Sequence, residues 1–543
     1  MMKALSFYKN QHWDVIVIGG GATGVGTLRD LSMRGLKTLL LEQQDLAYGT
    51  TSRFHGLLHS GARYVMKDQG VATDCAKENI ILSKICKPCI ENIGGLFIRT
   101  NEDDPEFEKN WVTACNNCKI KTTPISITDA LKEAPTLSKH ILSAYKVPDA
   151  SIDGFKLVWH NVISAQKYGG EFRTYTKVTS ITNSNGVVTG VTIEDFWTKE
   201  ITHLTCNFVI NAAGSWCGDV AAKAGIELHL TPNKGALIVF NHRLSKKIIN
   251  RLHPPSDGDI FVPHESTTIL GTTSKNTNRP DDIIPEQSDI LELLNIGSVL
   301  FPKIHQYRIL RSFAGTRPLY SMYKSPKELY ASRSFRIIDH KNEGLSGMAS
   351  ICGGKVTTYR LMAEQISNVV CNYFNNNVPC NTAKEPLITE VDPTLHKKIK
   401  YFPIQGFEPA LSRLGNSINE VSTAIKNNLL KKDLICECEM VTFAEVEYIA
   451  SQPSSYLLGD ISRRTRMGMG TCQGTFCALR AIGNFLQFNL LSSKEPITDL
   501  LQTFQQKKWV GIYPSLWGES LREVELFRQI YSATLNIEQE NHE

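Results

Sequence analysis

The chain has 543 residues, of which 42% are hydrophobic and 21% charged, as expected for a soluble globular protein of two or three domains. Its net charge of +5 is too small to indicate nucleic-acid binding, and no apolar run reaches the roughly 18–20 residues of a membrane helix. The first residues lack the apolar core and cleavage site of a signal peptide. We therefore expect a cytoplasmic chain whose fourteen cysteines stay reduced.

The first motif along the chain predicts a dinucleotide-binding β-α-β unit. A buried strand, 14–18, is followed by the three glycines of a G-x-G-x-x-G motif, Gly19, Gly21 and Gly24. A helix-like stretch and a second strand, 37–41, lead to Glu42, which lies 18 residues after the last glycine. A carboxylate at that position binds a ribose hydroxyl, and the glycines let a pyrophosphate approach the helix N-terminus.

Three later segments favour FAD over NAD as the dinucleotide. Residues 43–53 are rich in small hydroxyl side chains that suit the phosphates and ribityl chain of a flavin. A buried strand, 208–211, ends in small residues, and a strand from Ser350 breaks into a second glycine turn before a helix at 361–373. The predicted FAD-binding residues are Gly19, Gly21, Gly24, Glu42, Thr51, Ser52, Gly214, Gly353, Gly354 and Thr357.

Three separated motifs carry a family resemblance. They are His59-Ser-Gly-Ala-Arg63-Tyr64, the segment 312–319 that contains Gly-Thr-Arg317-Pro-Leu, and Gly353-Gly354-Lys355-Val-Thr-Thr-Tyr-Arg360. Over residues 12–375 the chain resembles the FAD-dependent glycerol-3-phosphate dehydrogenases of the D-amino-acid-oxidase-like flavoprotein group. The resemblance implies an α/β Rossmann-like FAD domain with an antiparallel substrate sheet. Strands at 231–240, 259–263 and 268–273 are expected in that sheet.

The resemblance also implies the reaction, in which glycerol 3-phosphate is oxidised to dihydroxyacetone phosphate. Arg63 and Arg317 are expected to contact the phosphate, because a guanidinium donates two parallel hydrogen bonds. Lys355 is expected beside the flavin, where it stabilises developing negative charge. His59 is expected either to take the hydroxyl proton or to be a structural histidine that holds the flavin.

Two other functions stay open at this point. Arginine binds carboxylates as well as phosphates, so a dehydrogenase of an amino acid or a 2-hydroxy acid is the main alternative. The second is a binding or assembly role, in which a cysteine module stores or delivers iron and the flavin fold is inactive.

Four cysteines near the C-terminus predict a metal or cluster site: Cys436, Cys438, Cys472 and Cys477. The first pair precedes a helix at 443–450, and the second stands at the start of a helix at 477–486. Thr442 is a suitable N-cap for the first helix, with Glu445 completing a capping box. Zinc sites usually read C-x2-C, whereas four thiolates also bind a [2Fe–2S] cluster.

This segment resembles bacterioferritin-associated-ferredoxin-like [2Fe–2S] domains. Together with the flavin motifs, it indicates the anaerobic, multisubunit type of glycerol-3-phosphate dehydrogenase. The resemblance implies that electrons leave through the cluster to a second flavin subunit, to an iron–sulfur membrane-anchor subunit, and to the quinone pool. Membrane contact at the inner face is then indirect. Three arginines are expected either to offset the cluster's charge or to form a solvated turn: Arg463, Arg464 and Arg466.

The predicted domain boundaries follow from these motifs. Residues 1–380 form the oxidoreductase, with an FAD domain at 12–75, 150–225 and 330–375 and a substrate domain at 76–149 and 226–329. Residues 381–431 are a linker, 432–487 the small helical [2Fe–2S] domain, and 488–543 a C-terminal tail that docks a partner.

Overall fold

The structure is a computed structural model that describes residues 5–9, 11–254, 258–320, 334–388, 402–452, 454–488 and 497–534. Within these ranges no helix combines the length and the hydrophobicity that a membrane crossing requires. Part of the predicted linker, 389–401, and part of the predicted tail, 489–496 and 535–543, lie outside the described residues.

Strands alternate with helices along the first 373 residues, and two further short strands lie in the C-terminal module. In chain order the strands are β1 (His12–Ile18), β2 (Thr38–Leu41), β3 (Leu57–Leu58), β4 (Ile90–Glu91), β5 (Gly95–Thr100), β6 (Thr123–Ile125), β7 (Ile141–Val147), β8 (Ala150–Ile152), β9 (Glu171–Arg173), β10 (Thr176–Ser184), β11 (Val187–Asp195), β12 (Ile201–Asn211), β13 (Leu230–Phe240), β14 (Ile248–Arg251), β15 (Ile260–His264), β16 (Thr267–Gly271), β17 (Lys275–Asn276), β18 (Ile309–Tyr320), β19 (Phe335–Asp339), β20 (Met348–Gly353), β21 (Leu434–Cys436) and β22 (Val441–Thr442).

The helices become denser after β20. In chain order they are α1 (Leu5–Lys9), α2 (Ala22–Met33), α3 (Gln69–Ile85), α4 (Pro105–Asn117), α5 (Ile127–Glu133), α6 (Gly154–Gln166), α7 (Cys217–Ala222), α8 (Gln287–Ser298), α9 (Tyr359–Tyr373), α10 (Ile404–Leu414), α11 (Ile418–Asn427), α12 (Phe443–Ala450), α13 (Leu458–Thr465), α14 (Cys477–Phe488), α15 (Ile497–Ile512) and α16 (Gly518–Thr534).

The first sheet has the strand order β10-β11-β12-β1-β2-β9, and β20 also pairs with β12. Its centre is parallel, because β1 runs in the same direction as β2 and β12. The apolar run of β1 suits a strand that is covered on both faces, and α2 packs with α6 and α9 on one of them. Ile18, Leu41 and Asn211 lie side by side, so the loops after these three strands meet at one edge.

The second sheet has the order β17-β13-β16-β15-β14-β5-β7-β6, with β18 on the other side of β13. The strands predicted at 231–240, 259–263 and 268–273 are β13, β15 and β16, so these predictions are confirmed. Its apolar face packs on α8 in a core that includes Phe240 and Phe261. Register along β18 brings Arg317 opposite Asn233, at the side that faces the first sheet.

The C-terminal residues form a small helical module around the hairpin β21–β22. The predicted α/β fold class, with an antiparallel substrate sheet and a helical C-terminal module, is confirmed. The range 381–431, predicted as a linker, contains α10 and α11, whose apolar faces pack in a core shared with α6 and α12. Thr442 is the N-cap of α12 and forms the predicted capping box with Glu445.

Candidate active site and cysteine centre

A cavity of about 680 Å³ opens where the carboxyl ends of β1, β2 and β12 meet. Its volume is in the range of cofactor and ligand sites. Most of the predicted site residues line it: Gly19, Gly21, Glu42, Thr51, His59, Gly214, Arg317, Gly353, Gly354, Lys355 and Thr357. Three predicted residues lie outside the lining: Gly24, Ser52 and Arg63.

The glycine turn after β1 needs glycine for two different reasons. Gly19 has a φ of +116°, and a Cβ there would lie 2.6 Å from the carbonyl oxygen of Ala212. A Cβ on Gly24 would collide with the carbonyl oxygen of Gly19. Gly24 therefore acts by letting α2 pack on the turn, which explains why it belongs to the motif without lining the cavity.

Glu42 closes one end of the cavity. Its half-buried carboxylate accepts hydrogen bonds from the backbone N–H groups of Gly20, at 2.7 Å, and Gln44, at 2.8 Å. Burial raises the pKa of Glu42, while these N–H groups oppose the shift. Nearby, the Thr51 hydroxyl accepts a hydrogen bond of 3.0 Å from the N–H of Ala22 in the first turn of α2. This end presents a carboxylate and a helix N-terminus, as a nucleotide requires.

The opposite end of the cavity holds two histidines, a tyrosine and a lysine. The backbone N–H of His59 donates to the Thr357 hydroxyl at 3.1 Å, and His59 Nε2 lies 3.3 Å from the Tyr64 hydroxyl. Lys355 Nζ is 4.4 Å from the centre of the Tyr64 ring, and the His55 ring meets that of His59 edge-on at 5.7 Å. No role was predicted for Tyr64 or His55, although Tyr64 ends the H-x-G-x-R-Y motif.

Arg317 lines the same cavity from β18. Its guanidinium donates to the Asn233 side chain, to the Thr272 hydroxyl and, at 3.1 Å, to the carbonyl of Thr273. A Cβ at Gly235 would lie 2.8 Å from Nη2 of this guanidinium, so glycine at that position makes room for it. The cation is therefore fixed in place before any ligand binds.

Arg63 and Ser52 lie behind the cavity wall. Arg63 forms an ion pair with Asp259, whose other oxygen lies 2.6 Å from His253 Nε2. Burial would raise the pKa of Asp259, but Arg63 and His253 hold it below its usual value. The Ser52 hydroxyl donates to the Gly49 carbonyl at 3.1 Å. The prediction that Arg63 contacts a phosphate stays a prediction.

One cavity lined by a glycine turn at a helix N-terminus, a half-buried carboxylate and the cations Arg317 and Lys355 defines a dinucleotide-dependent oxidoreductase of the flavin type. The family model "FAD dependent oxidoreductase" matches residues 14–367. The glycine turn, the carboxylate and the continuous cavity fit FAD. The structure also resembles that of glycerol-3-phosphate dehydrogenase from Bacillus halodurans complexed with FAD, with a TM-score of 0.70, 21% identity and coverage of 95% of this chain and 98% of that one.

Two curated relatives extend the match to the C-terminal module. One subunit of the anaerobic glycerol-3-phosphate dehydrogenase of Escherichia coli strain K12 is 39% identical over 98% of each chain. The corresponding polypeptide of the Haloferax volcanii enzyme is 36% identical over 97% of this chain and 91% of that one. The chain therefore belongs to the FAD-dependent oxidoreductase family, among its glycerol-3-phosphate dehydrogenases, and the resemblance drawn from the motifs is confirmed.

The four C-terminal cysteines come together in two pairs. Cys436 and Cys477 are buried, and their side chains hydrogen-bond to each other. The bond from Cys477, with the backbone N–H groups of Gly468 and Glu439, lowers the pKa of Cys436 to about 6. The same bond raises the pKa of Cys477, because its proton is the one that is shared. One thiolate is thus favoured in this pair.

The second pair, Cys438 and Cys472, is nearer to solvent. The two side chains hydrogen-bond to each other, and burial raises the pKa of Cys438. A Cβ at Gly470 would collide with the Cβ of Cys438, so glycine there lets the two cysteine segments approach. In the described part of the chain, no three or more Cys, His, Asp or Glu side chains are grouped as ligands of a single metal ion.

Three arginines that precede Cys472 in the chain fix the module to the FAD domain, and of these Arg464 and Arg466 are buried while Arg463 is half-buried. Arg464 makes a bidentate pair with Asp45, at 2.7 and 3.0 Å, and Arg463 Nε lies 2.6 Å from the same carboxylate. Arg466 bridges Asp153 at the start of α6 and Glu439 beside Cys438, at 3.0 and 2.7 Å. The expectation of a solvated turn is wrong, because these charges have partners inside the molecule.

Proposed function

We propose that the chain oxidises sn-glycerol 3-phosphate to dihydroxyacetone phosphate with FAD as the hydride acceptor. The observation that carries this proposal is that Arg317, Lys355 and His59 line the same cavity as the glycine turn. The names of the curated relatives support the same substrate. The substrate's phosphate needs cations, and its hydroxyl needs a proton acceptor near a flavin.

The chemical type of each residue suits it to a different one of these tasks. Arg317 would bind the phosphate, because its planar fork is already held by Asn233 and Thr273. Lys355 would stabilise negative charge as the hydroxyl loses its proton. His59 would take that proton, with Tyr64 holding its ring. When bound, FAD supplies the acceptor for the hydride that leaves the carbinol carbon. Arg63 would position the adjacent Tyr64 from behind the wall.

We also propose that the cysteine module, residues 432–487, binds a [2Fe–2S] cluster. Two pairs of thiols fit the donor set of such a cluster, which takes two cysteine ligands on each iron. Along the chain the cysteines are spaced Cys436-x-Cys438 and Cys472-x4-Cys477, whereas zinc knuckles usually read C-x2-C, so the spacing favours the cluster over a single zinc ion. The cluster would pass electrons singly to a second flavin subunit, to an iron–sulfur membrane-anchor subunit, and to the quinone pool. The chain would then lie at the inner face of the membrane through these partners.

The substrate is tested by anaerobic stopped-flow absorbance of the purified protein. We expect the flavin band to bleach with glycerol 3-phosphate and to stay unchanged with proline, glycine or 2-hydroxyglutarate. Bleaching with one of the latter and none with glycerol 3-phosphate would establish the alternative amino-acid or 2-hydroxy-acid dehydrogenase.

The cluster is tested by iron and acid-labile sulfide analysis together with electron paramagnetic resonance after reduction. We expect two irons and two sulfides per chain, as the formula [2Fe–2S] requires. Cys477→Ser should lose them and keep the flavin. Cys380→Ser, a half-buried cysteine outside the module, should keep both. Stoichiometric zinc without sulfide would contradict the cluster.

A further inference from the structure

Helix α15, in the region predicted as a tail, packs on the cysteine centre. The Phe504 ring lies over two glycines, Gly468 before the Cys472–Cys477 loop and Gly474 within it, both with a φ of +82°. A Cβ on Gly468 would lie 3.0 Å from that ring, and one on Gly474 would lie 2.7 Å away. The ring therefore occupies the space that two side chains would need, and the cysteine loop and α15 fit together as one unit.

One helical turn after Phe504, Lys508 faces the loop between Cys472 and Cys477. Its Nζ donates a hydrogen bond of 2.8 Å to the Thr475 hydroxyl. That hydroxyl in turn donates to the Cys472 carbonyl at 2.7 Å. The ammonium also attracts the side chains of both cysteines when they are thiolates. Lys508 is half-buried, so water screens this attraction only in part.

The far end of α15 is fixed to the substrate sheet. The Ser312 hydroxyl on β18 donates to the Gly511 carbonyl at 3.0 Å, and a Cβ at Gly511 would lie 2.8 Å from the Ser312 carbonyl oxygen. Because β18 also carries Arg317, one helix touches both the cysteine loop and the strand that leads to the flavin cavity. Helix α15 is thus held at both ends, which fixes the position of Lys508 relative to the cysteine loop.

We propose that Lys508 is a positioning residue of the cysteine centre, which holds the Cys472–Cys477 loop and favours the reduced form of the cluster bound there. The inference rests on the proposed [2Fe–2S] site. Reduction adds one electron, and therefore one negative charge, without making or breaking a bond. A fixed ammonium beside two of the ligands stabilises that charge and raises the reduction potential. Reduced flavin, produced by the proposed oxidation, supplies the electron.

The test is a redox titration of the whole flavoprotein, followed by electron paramagnetic resonance, on wild type and three variants. In Lys508→Met we expect iron, sulfide and flavin to stay bound. At a fixed potential the ratio of reduced to oxidised cluster should fall about tenfold, equal to about 59 mV for one electron. Lys508→Arg keeps the charge and should match wild type.

Lys507→Met is the matched control. It removes the same charge from the preceding position of α15, about 100° around the helix, where Lys507 lies 5.9 Å from the Tyr48 ring. An unchanged midpoint in Lys508→Met, or an equal shift in Lys507→Met, would overturn the proposal. Loss of the cluster in Lys508→Met that Lys508→Arg restores would support it, and loss in both would overturn it. Wild type without iron and sulfide would instead contradict the cluster itself.

Discussion

The flavin cavity and the cysteine centre differ in how the chain assembles them. The cavity gathers segments from β1 to the turn before α9, and its lining includes the glycine turns at 19–21 and 353–354. The cysteine centre comes from residues 436–477, but buried side-chain charges on Arg464 and Arg466 fix it to the rest of the molecule. The flavin cavity, whose segments are far apart in the sequence, therefore depends on the local backbone conformation of each segment. The cysteine centre, whose segments are close in the sequence, depends on ion pairs with distant residues.

This difference predicts where each site is vulnerable. In the cavity, loss of one side chain should change binding or rate while the fold persists, because glycine turns and sheet register hold the site. In the cysteine module, one added methyl group should separate the cysteine segments, and one uncompensated charge should detach the module from the FAD domain. The following variants test that contrast.

Gly470→Ala should have the largest effect. Its methyl group would collide with Cys438, so the two cysteine segments would separate. We expect loss of most iron and sulfide with full flavin content. Gly483→Ala, an exposed position in α14 with no atom near its Cβ, is the control. It should keep the cluster and stabilise the helix by up to about 1 kcal/mol. A Gly470→Ala protein with full iron would contradict the packing of the two segments.

Asp45→Asn should release the module from the FAD domain. The substitution leaves the buried Arg464 without its bidentate counter-charge, which costs about 3–5 kcal/mol, whereas Arg463 keeps its ion pair with Asp460. We expect a lower melting temperature and faster proteolysis of the C-terminal module. Asp129→Asn breaks an exposed ion pair with Lys132 and should change neither. Equal melting temperatures for wild type and Asp45→Asn would show that the ion pairs do not hold the two parts together.

The same contrast explains what the sequence predicts and what it does not. Gly19, Glu42 and the N-cap of α12 at Thr442 are predicted because fixed local spacings determine them. The pairing of Asp45 with Arg464 spans 419 residues, and any of 54 acidic residues was an equal candidate. Burial of those arginines, and the packing of α15, follow only from the tertiary structure. Composition carries no signal for either.

A comparison of Arg317→Met with Arg63→Met tests which of the two arginines predicted to contact the phosphate does so. Loss of a charge-assisted hydrogen bond costs about 1.5–3 kcal/mol, so kcat/KM for glycerol 3-phosphate should fall about 10- to 100-fold, mainly through KM. Arg63→Met leaves the buried Asp259 with His253 as its remaining charged partner among the described residues, and we expect lower thermal stability with a smaller change in KM. If Arg63→Met raised KM as much as Arg317→Met at unchanged stability, Arg63 would contact the substrate.

The smallest effect concerns the contact between α6 and α10. His160 is buried, and its Nε2 donates a hydrogen bond of 3.0 Å to the Ser412 carbonyl. Burial lowers its pKa from 6.5 to about 4. Between those two values the unfolded chain binds a proton that the folded protein does not, so stability falls as pH decreases from 6.5 to 4. From pH 7 to pH 5 this histidine should remove about 2 kcal/mol.

The measurement is the difference in unfolding free energy between pH 7 and pH 5 for wild type and two variants. His160→Gln keeps a donor for the Ser412 carbonyl and cannot be protonated, so its loss on acidification should be smaller by about 2 kcal/mol. His305→Gln, at an exposed position, should match wild type. If His160→Gln lost as much stability as wild type, the contact between α6 and the helices before the cysteine module would be independent of pH. The acid sensitivity would then lie with the carboxylates of the buried ion pairs, Asp45 and Asp153, whose pKa values are held low.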